Sequence, residues 1–279
     1  MTPTIAPYTE TSRTLLQQGK TDYANGNYQR AIACFNQVLQ IDSGNFWAML
    51  YRGEAYRQTQ QYTAAQADFD TVLAQQPQHS WTLAHRGMVF KALNMLQNAL
   101  LDLTMAIDHQ PTYAWAIAQR GNIYTALGRY EDALADMDRI MILNPSLVSP
   151  WEGERGLLLN ALGRYQETIA CCQPKVQQDK TDFITHYSLV VAQTLLSAAC
   201  SQANATKLEA HLHSLLSQSP PLNPQQKAAV RYRLGGLAAL QNNFQLAQSH
   251  LQDAILLDDE PQEMVRHDPA WKQFRLEQR

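Results

Sequence analysis

Charge is scarce in this 279-residue chain, where only 17% of positions are Asp, Glu, Lys or Arg, against about a quarter in an average soluble protein. The 22 basic and 25 acidic residues leave a net charge of −3. That balance excludes the basic stripe of a dedicated nucleic-acid binder. Cysteine is scarce too: Cys34, Cys171, Cys172 and Cys200 form no C-x-x-C pair, and none has a histidine at zinc-like spacing. Buried thiols in a reducing, cytoplasmic setting are the simplest reading. Met1 to Glu10 lacks the basic and apolar stretches of a secretory leader. No run approaches the roughly 18 apolar residues of a membrane span.

Catalytic signatures are missing as well. There is no H-E-x-x-H and no G-x-S-x-G. Gly19-Lys20-Thr21 imitates the end of a phosphate-binding loop, but Thr14 stands where that loop needs glycine. His211 and His213 are two apart on an expected helix and point to different faces. The run Asp258-Asp259-Glu260 reads as a solvated helix end. No catalytic residue, cofactor or metal is therefore expected, and the chain is read as not an enzyme.

What the chain has is glutamine, 31 residues of it, and a period. Trp47, Trp81 and Trp115 are spaced by 34, as are Arg52-Gly53, Arg86-Gly87 and Arg120-Gly121; Arg155-Gly156 follows after 35. Pro77, Pro111 and Pro145 keep the step, and so do Ala31, Ala65, Ala99 and Ala133. One period shared by four independent residue types marks a repeat architecture. A repeated unit of this size cannot bury its own apolar face, so neighbours must stack to make a continuous core.

These residues resemble the tetratricopeptide repeat, a helix-turn-helix unit of about 34 residues. The resemblance implies close helix packing at Gly19, Gly53, Gly87, Gly121, Gly156 and Gly235, opposite Ala31, Ala65, Ala99, Ala133 and Ala247. It implies an all-α solenoid superhelix of about seven stacked units with a C-terminal capping helix. The expected layout is a flexible N-terminus over 1–11, a regular five-repeat array over 12–182, a degenerate plus a final unit over 183–261, and a cap over 262–279. Pro174 should kink or end the second helix of the fifth unit early. Val190 takes the glycine position of the sixth, whose first helix should run from about Phe183 to Cys200. Two abutting sub-arrays, or a change of curvature, are expected near residues 174–224. Asp268-Pro269 reads as an N-cap that starts the terminal helix, with Trp271 and Phe274 on one face.

The arginine of each Arg-Gly pair needs a counter-charge if it is internal, and Asp68, Asp102 and Asp136 recur at the same period. An Arg–Asp ladder is expected, within each repeat or from one repeat to the next, because an unpaired buried arginine is too costly. The alternative makes these arginines groove residues for an acidic ligand. In the family the first helix of each repeat lines the concave groove. Carried over, this gives Trp47, Tyr51, Arg57, Trp81, His85, Lys91, Trp115, Gln119 and Asn122 as protein-binding residues. The tryptophans could equally pack on the preceding repeat. The pattern of a clamp for acidic chaperone tails is absent, and Glu54 would repel a carboxylate. The reading that results is a non-catalytic interaction scaffold for a peptide or helix of a protein partner, with no nucleic acid and no membrane span. The alternative is a self-associating assembly subunit, a homo-oligomer that acts through its ends or its C-terminal helix.

Overall fold

The computed structural model describes residues 6–144, 148–178, 182–196, 202–217, 221–258, 261, 264–265 and 268–277. Among these the regular structure is entirely helical, and the helices pack in consecutive antiparallel pairs. Two compact units divide the chain, 1–143 and 144–279. This boundary precedes the fifth repeat, earlier than the 174–224 region where the sequence suggests a break.

The first unit holds four pairs: α1 (Ala6–Ala24) with α2 (Tyr28–Ile41), α3 (Phe46–Gln58) with α4 (Tyr62–Gln75), α5 (Ser80–Ala92) with α6 (Leu96–His109), and α7 (Ala114–Ala126) with α8 (Tyr130–Leu143). Helix α1 starts inside the segment expected to be flexible. The second unit holds α9 (Val148–Ala161) with α10 (Tyr165–Gln178), α11 (Phe183–Leu196) with α12 (Gln202–Leu216), and α13 (Pro224–Leu240) with α14 (Phe244–Ile255). A 3-10 turn (Pro269–Trp271) and α15 (Lys272–Glu277) close it.

Each turn inside a pair repeats one hydrogen-bonded motif. The amide three residues past the first helix donates back five residues: Asn27 to Asp22, Gln61 to Tyr56, Met95 to Phe90 and Arg129 to Tyr124, all at 2.8 Å. The residue between must adopt a left-handed conformation. Gly26, Gly128 and Gly163 do so at no steric cost, whereas Gln60, Asn94 and Asn242 hold φ near +60° with side chains. The motif therefore forms where the sequence offers no glycine, because packing of the pair imposes it.

The helices touch closely where the repeat glycines lie. A Cβ on Gly53 would stand 2.8 Å from the Phe69 ring, so no larger residue fits without displacing the core. The sixth unit has Val190 there, fully buried with Leu208 and Leu212 of α12. Its first helix is described only to Leu196; the segment towards Cys200 lies outside the described residues. Pro174 does not end α10 early, since the helix continues to Gln178. Proline removes the amide that would bond the Ala170 carbonyl, but both residues are exposed and water can serve that carbonyl. Helix α14 ends at Ile255, and the Asp258 amide still bonds back to the Ala254 carbonyl at 3.0 Å; Asp259 and Glu260 lie outside the described residues.

The ladder forms within each repeat, the first of the two expected senses. Arg52 Nε and Nη2 donate to the two oxygens of Asp68 at 2.8 and 2.6 Å, Arg86 to Asp102 at 2.7 and 2.8 Å, and Arg120 to Asp136 at 2.9 and 2.6 Å. These forks join the two helices of one repeat. The remaining Nη1 reaches into the preceding repeat, to Asn36, Asp70 and Thr104 at 2.7, 2.7 and 3.2 Å. Each guanidinium also lies over an aromatic ring one turn on, Tyr56, Phe90 or Tyr124. The arginines are thus structural ties between repeats rather than open groove residues.

The C-terminal cap covers the last pair. Trp271 is fully buried, and a Cβ on Gly235 would meet its ring at 2.5 Å. Phe274 packs beside it. Asp268 caps the turn through the Ala270 amide at 2.8 Å, accepts from Tyr232 at 3.1 Å, and pairs with buried Arg233 at 2.9 Å. Hydrogen bonds from Arg275 to the Val265 and Asp268 carbonyls tie the cap to the segment before it.

Arg86→Met leaves Asp102 buried without its cation and is expected to destabilise the first unit by about 3–5 kcal/mol; Arg86→Met with Asp102→Leu should recover most of that loss. Urea unfolding of the three proteins checks both values. Trp271→Ala is expected to cost the second unit about 3–5 kcal/mol, while Leu276→Ala, 53% exposed on the helix that follows, leaves the thermal midpoint unchanged.

Candidate functional site

Within the first unit, α1, α3, α5 and α7 approach one another directly, each touching the next first helix. Their shared face is the inner side of the stack. Helical spacing puts positions three and four apart on that face, so the period of 34 sets aromatic and polar groups of successive repeats side by side.

Glu54 of α3 is the hub of this face. It is 2% exposed, yet fully hydrogen-bonded. Arg57 donates through Nε and Nη2 at 2.8 and 2.7 Å, Gln58 at 2.8 Å, and Tyr23 from the preceding repeat at 3.3 Å. His85 of the following repeat approaches with Nδ1 2.8 Å from Oε2. A carboxylate can only accept, so Nδ1 carries the proton and Nε2 is left for the other side of the ring. Burial alone would raise the Glu54 pKa, but the bonds from Arg57 and His85 outweigh it and hold the group at about 2. Burial and then the Glu54 charge push the Tyr23 and Tyr113 hydroxyls up to about 12.

The aromatic groups build on that hub. The His85 ring stacks on Trp81 at 3.7 Å and on Trp115 at 4.7 Å, and Tyr113 stacks on Trp115 at 6.0 Å. On the other side, Tyr51 contacts Tyr23 and Phe35, and Lys20 lies 5.1 Å over Trp47 and 4.9 Å over Tyr51. Trp81 packs inward against Phe69 of the preceding repeat. Trp47 and Trp115 remain 48% and 37% exposed. Trp81 thus takes the packing role, while Trp47 and Trp115 keep exposed ring surface.

The face brings together Trp47, Tyr51, Trp81, His85 and Trp115. Arg57 belongs to it as the partner of Glu54. Lys91, Gln119 and Asn122 stand outside this contact network, Asn122 exposed and the other two half-buried. Glu54 does not present the bare negative charge expected of it, because Arg57 neutralises it. The hub itself was legible only in part: Arg57 and Gln58 stand three and four residues on from Glu54, but Tyr23 and His85 meet it through tertiary packing.

The second unit has its own inner features. Leu157, Tyr187, Ala228, Tyr232, Pro261 and Met264 line most of a cavity of about 400 Å³. His186 Nδ1 lies 2.7 Å from His211 Nε2, a pair that sequence spacing did not suggest; burial, and then His186, lower the His211 pKa. His213 points elsewhere, 4.0 Å from Glu209. Among the described residues, no group of three or more His, Cys, Asp or Glu is placed to hold a metal, and no helix is long and apolar enough to cross a membrane.

Residues 22–86, from the end of α1 into α5, match a family model described as tetratricopeptide repeat. The chain has a tetratricopeptide-repeat fold. Its fold resembles that of a tetratricopeptide repeat protein from Parabacteroides merdae, with a TM-score of 0.64 and 16% identity over 95% of this chain and 99% of that one. The C-terminal part of a TPR repeat-containing protein from Cytophaga hutchinsonii matches with a TM-score of 0.67 and 16% identity, over 88% and 95%. MamA matches with a TM-score of 0.55 and 19% identity over 62% of this chain and 93% of its own. At these identities the likeness is one of fold. No curated protein gives a significant match.

Glu54 contributes about 3 kcal/mol of stability that is fully present above its ordinary pKa near 4.5 and lost as the pH falls towards 2. Acid unfolding followed by tryptophan fluorescence should therefore show the gap between wild type and Glu54→Gln narrowing over that range. A constant gap contradicts the assignment.

Proposed function

We propose that this chain is a non-catalytic scaffold that binds a segment of a protein partner along the inner face of its first four repeats. The observation that carries the reading is the half-exposed pair Trp47 and Trp115 on a base of fully bonded groups. Large aromatic side chains held in place bring contact area at little entropic cost, which is why they dominate binding hot spots. The His85 stack and the Glu54 bonds hold Trp115, and Lys20 and Tyr51 hold Trp47. The face mixes aromatic surface with paired charge, so it suits an extended or helical segment with apolar anchors rather than an acidic tail. The net charge of −3 fits a protein partner better than nucleic acid. A reducing, cytoplasmic setting suits the unpaired thiols of Cys34, Cys171 and Cys172.

Self-association through the C-terminal helix has less support, because Trp271 and Phe274 are already spent inside their own unit.

A displayed random-peptide library selected on the purified protein supplies the test ligand. Trp47→Ser with Trp115→Ser is expected to weaken the selected peptide by roughly 30-fold or more, since truncating a hot spot costs about 2 kcal/mol, while the melting temperature holds. Unchanged affinity moves the site off this face.

A further inference from the structure

The ammonium of Lys20 stands 5.1 Å from the centre of the Trp47 ring and 4.9 Å from that of Tyr51. The two rings are neighbours on α3, 6.4 Å apart, and Lys20 reaches them from α1. Ring faces attract a cation through their quadrupole but bring no charge to neutralise it. Arg57, the cation of the Glu54 hub, is matched by a carboxylate. Lys20 is not: among the described residues, no carboxylate lies within ion-pair distance of its ammonium.

Lys20 is partly buried, and Trp47 is 48% exposed. Open indole surface and an unmatched cation thus share one patch. A segment seated on Trp47 takes water from the ammonium as well. Desolvating a charge without a partner is costly. A ligand that brings a carboxylate to this place replaces the lost water with a charge-assisted hydrogen bond.

Trp115 stands in different company. The rings that stack on it are Tyr113 and His85, and His85 is bonded to Glu54. Among the described residues, no lysine or arginine lies over the Trp115 ring. The two exposed tryptophans therefore ask for different chemistry.

We propose that the inner face of the first unit takes a segment with one Asp or Glu side chain beside the apolar anchor on Trp47, and an uncharged anchor on Trp115. The inference rests on the reading of this face as the binding site. Lys20 is then a specificity-determining residue, whose ammonium donates to the ligand carboxylate. Trp47 and Tyr51 hold that ammonium in place beforehand, so little side-chain freedom is lost when the bond forms. The unlike ends also give the bound segment a direction.

The test uses the full chain and peptides selected on it from a displayed random library. Selected peptides that need Trp47 and Trp115 are expected to contain Asp or Glu. Changing that residue to Asn or Gln should weaken them roughly tenfold or more, the worth of one hydrogen bond between charged groups. This arm needs no protein variant. Lys20→Met, which keeps an apolar stem on the rings, should weaken the parent peptide by the same factor and the amide peptide hardly at all. Lys20→Glu should select peptides with Lys or Arg in that place. The inference is overturned, with the site left standing, if peptides that depend on both tryptophans bind as tightly after the acid-to-amide change, or bind equally to Lys20→Met of unchanged melting temperature. It is overturned too if amidating the peptide C-terminus, rather than the side chain, causes the loss. Peptides indifferent to Trp47→Ser with Trp115→Ser overturn the site and the inference together.

Discussion

The first four repeats depend on one device, the guanidinium fork that engages two helices at once. A buried arginine is costly unless its donors are met. Here two donors meet the aspartate of the same repeat, and the third meets Asn36, Asp70 or Thr104 of the repeat before. From the second repeat to the fourth, one arginine therefore sets both the closure of its own helix pair and its register on the repeat before. Apolar packing at that position would close the pair but allow it to slide; the planar fork tolerates no such slippage. The inner face inherits this register. Trp81, His85 and Trp115 stack only because successive first helices are held at a fixed step.

The inner face then follows from a second economy of charge. Glu54 is buried within a wall of aromatic rings, where an isolated carboxylate would be untenable. Its bonds from Arg57, Gln58, Tyr23 and His85 draw three repeats together. The result is a rigid base with two tryptophans projecting from it, an arrangement prepared for contact before any partner arrives. Rigidity of this kind reduces the ordering cost of binding.

The second unit follows the same plan with different materials. Val190 replaces the packing glycine of its middle pair; Leu234 stands at the ladder position before Gly235, and Arg233 beside it pairs with Asp268 of the cap. Gly235, which the repeat pattern assigns to close helix packing, makes room for the Trp271 ring. A terminal repeat has no neighbour to cover its core, so the glycine meets the cap.

The sequence by itself determined the architecture. A period of 34 shared by tryptophan, Arg-Gly, alanine and proline marks a repeat array, and the resemblance of those residues to the tetratricopeptide repeat makes each unit a helix pair that buries its apolar face on the next. It also determined the ladder, since a periodic arginine inside a core demands a periodic acid. Residues whose partners lie a fixed number of positions away were legible for that reason. The tertiary structure decided what no fixed spacing encodes: that Gln60 and Asn94 adopt the glycine conformation, that α10 runs on through Pro174, and that His85 joins two tryptophans to Glu54. Each depends on contacts between different helices, where the balance of packing, desolvation and hydrogen bonding is struck in three dimensions.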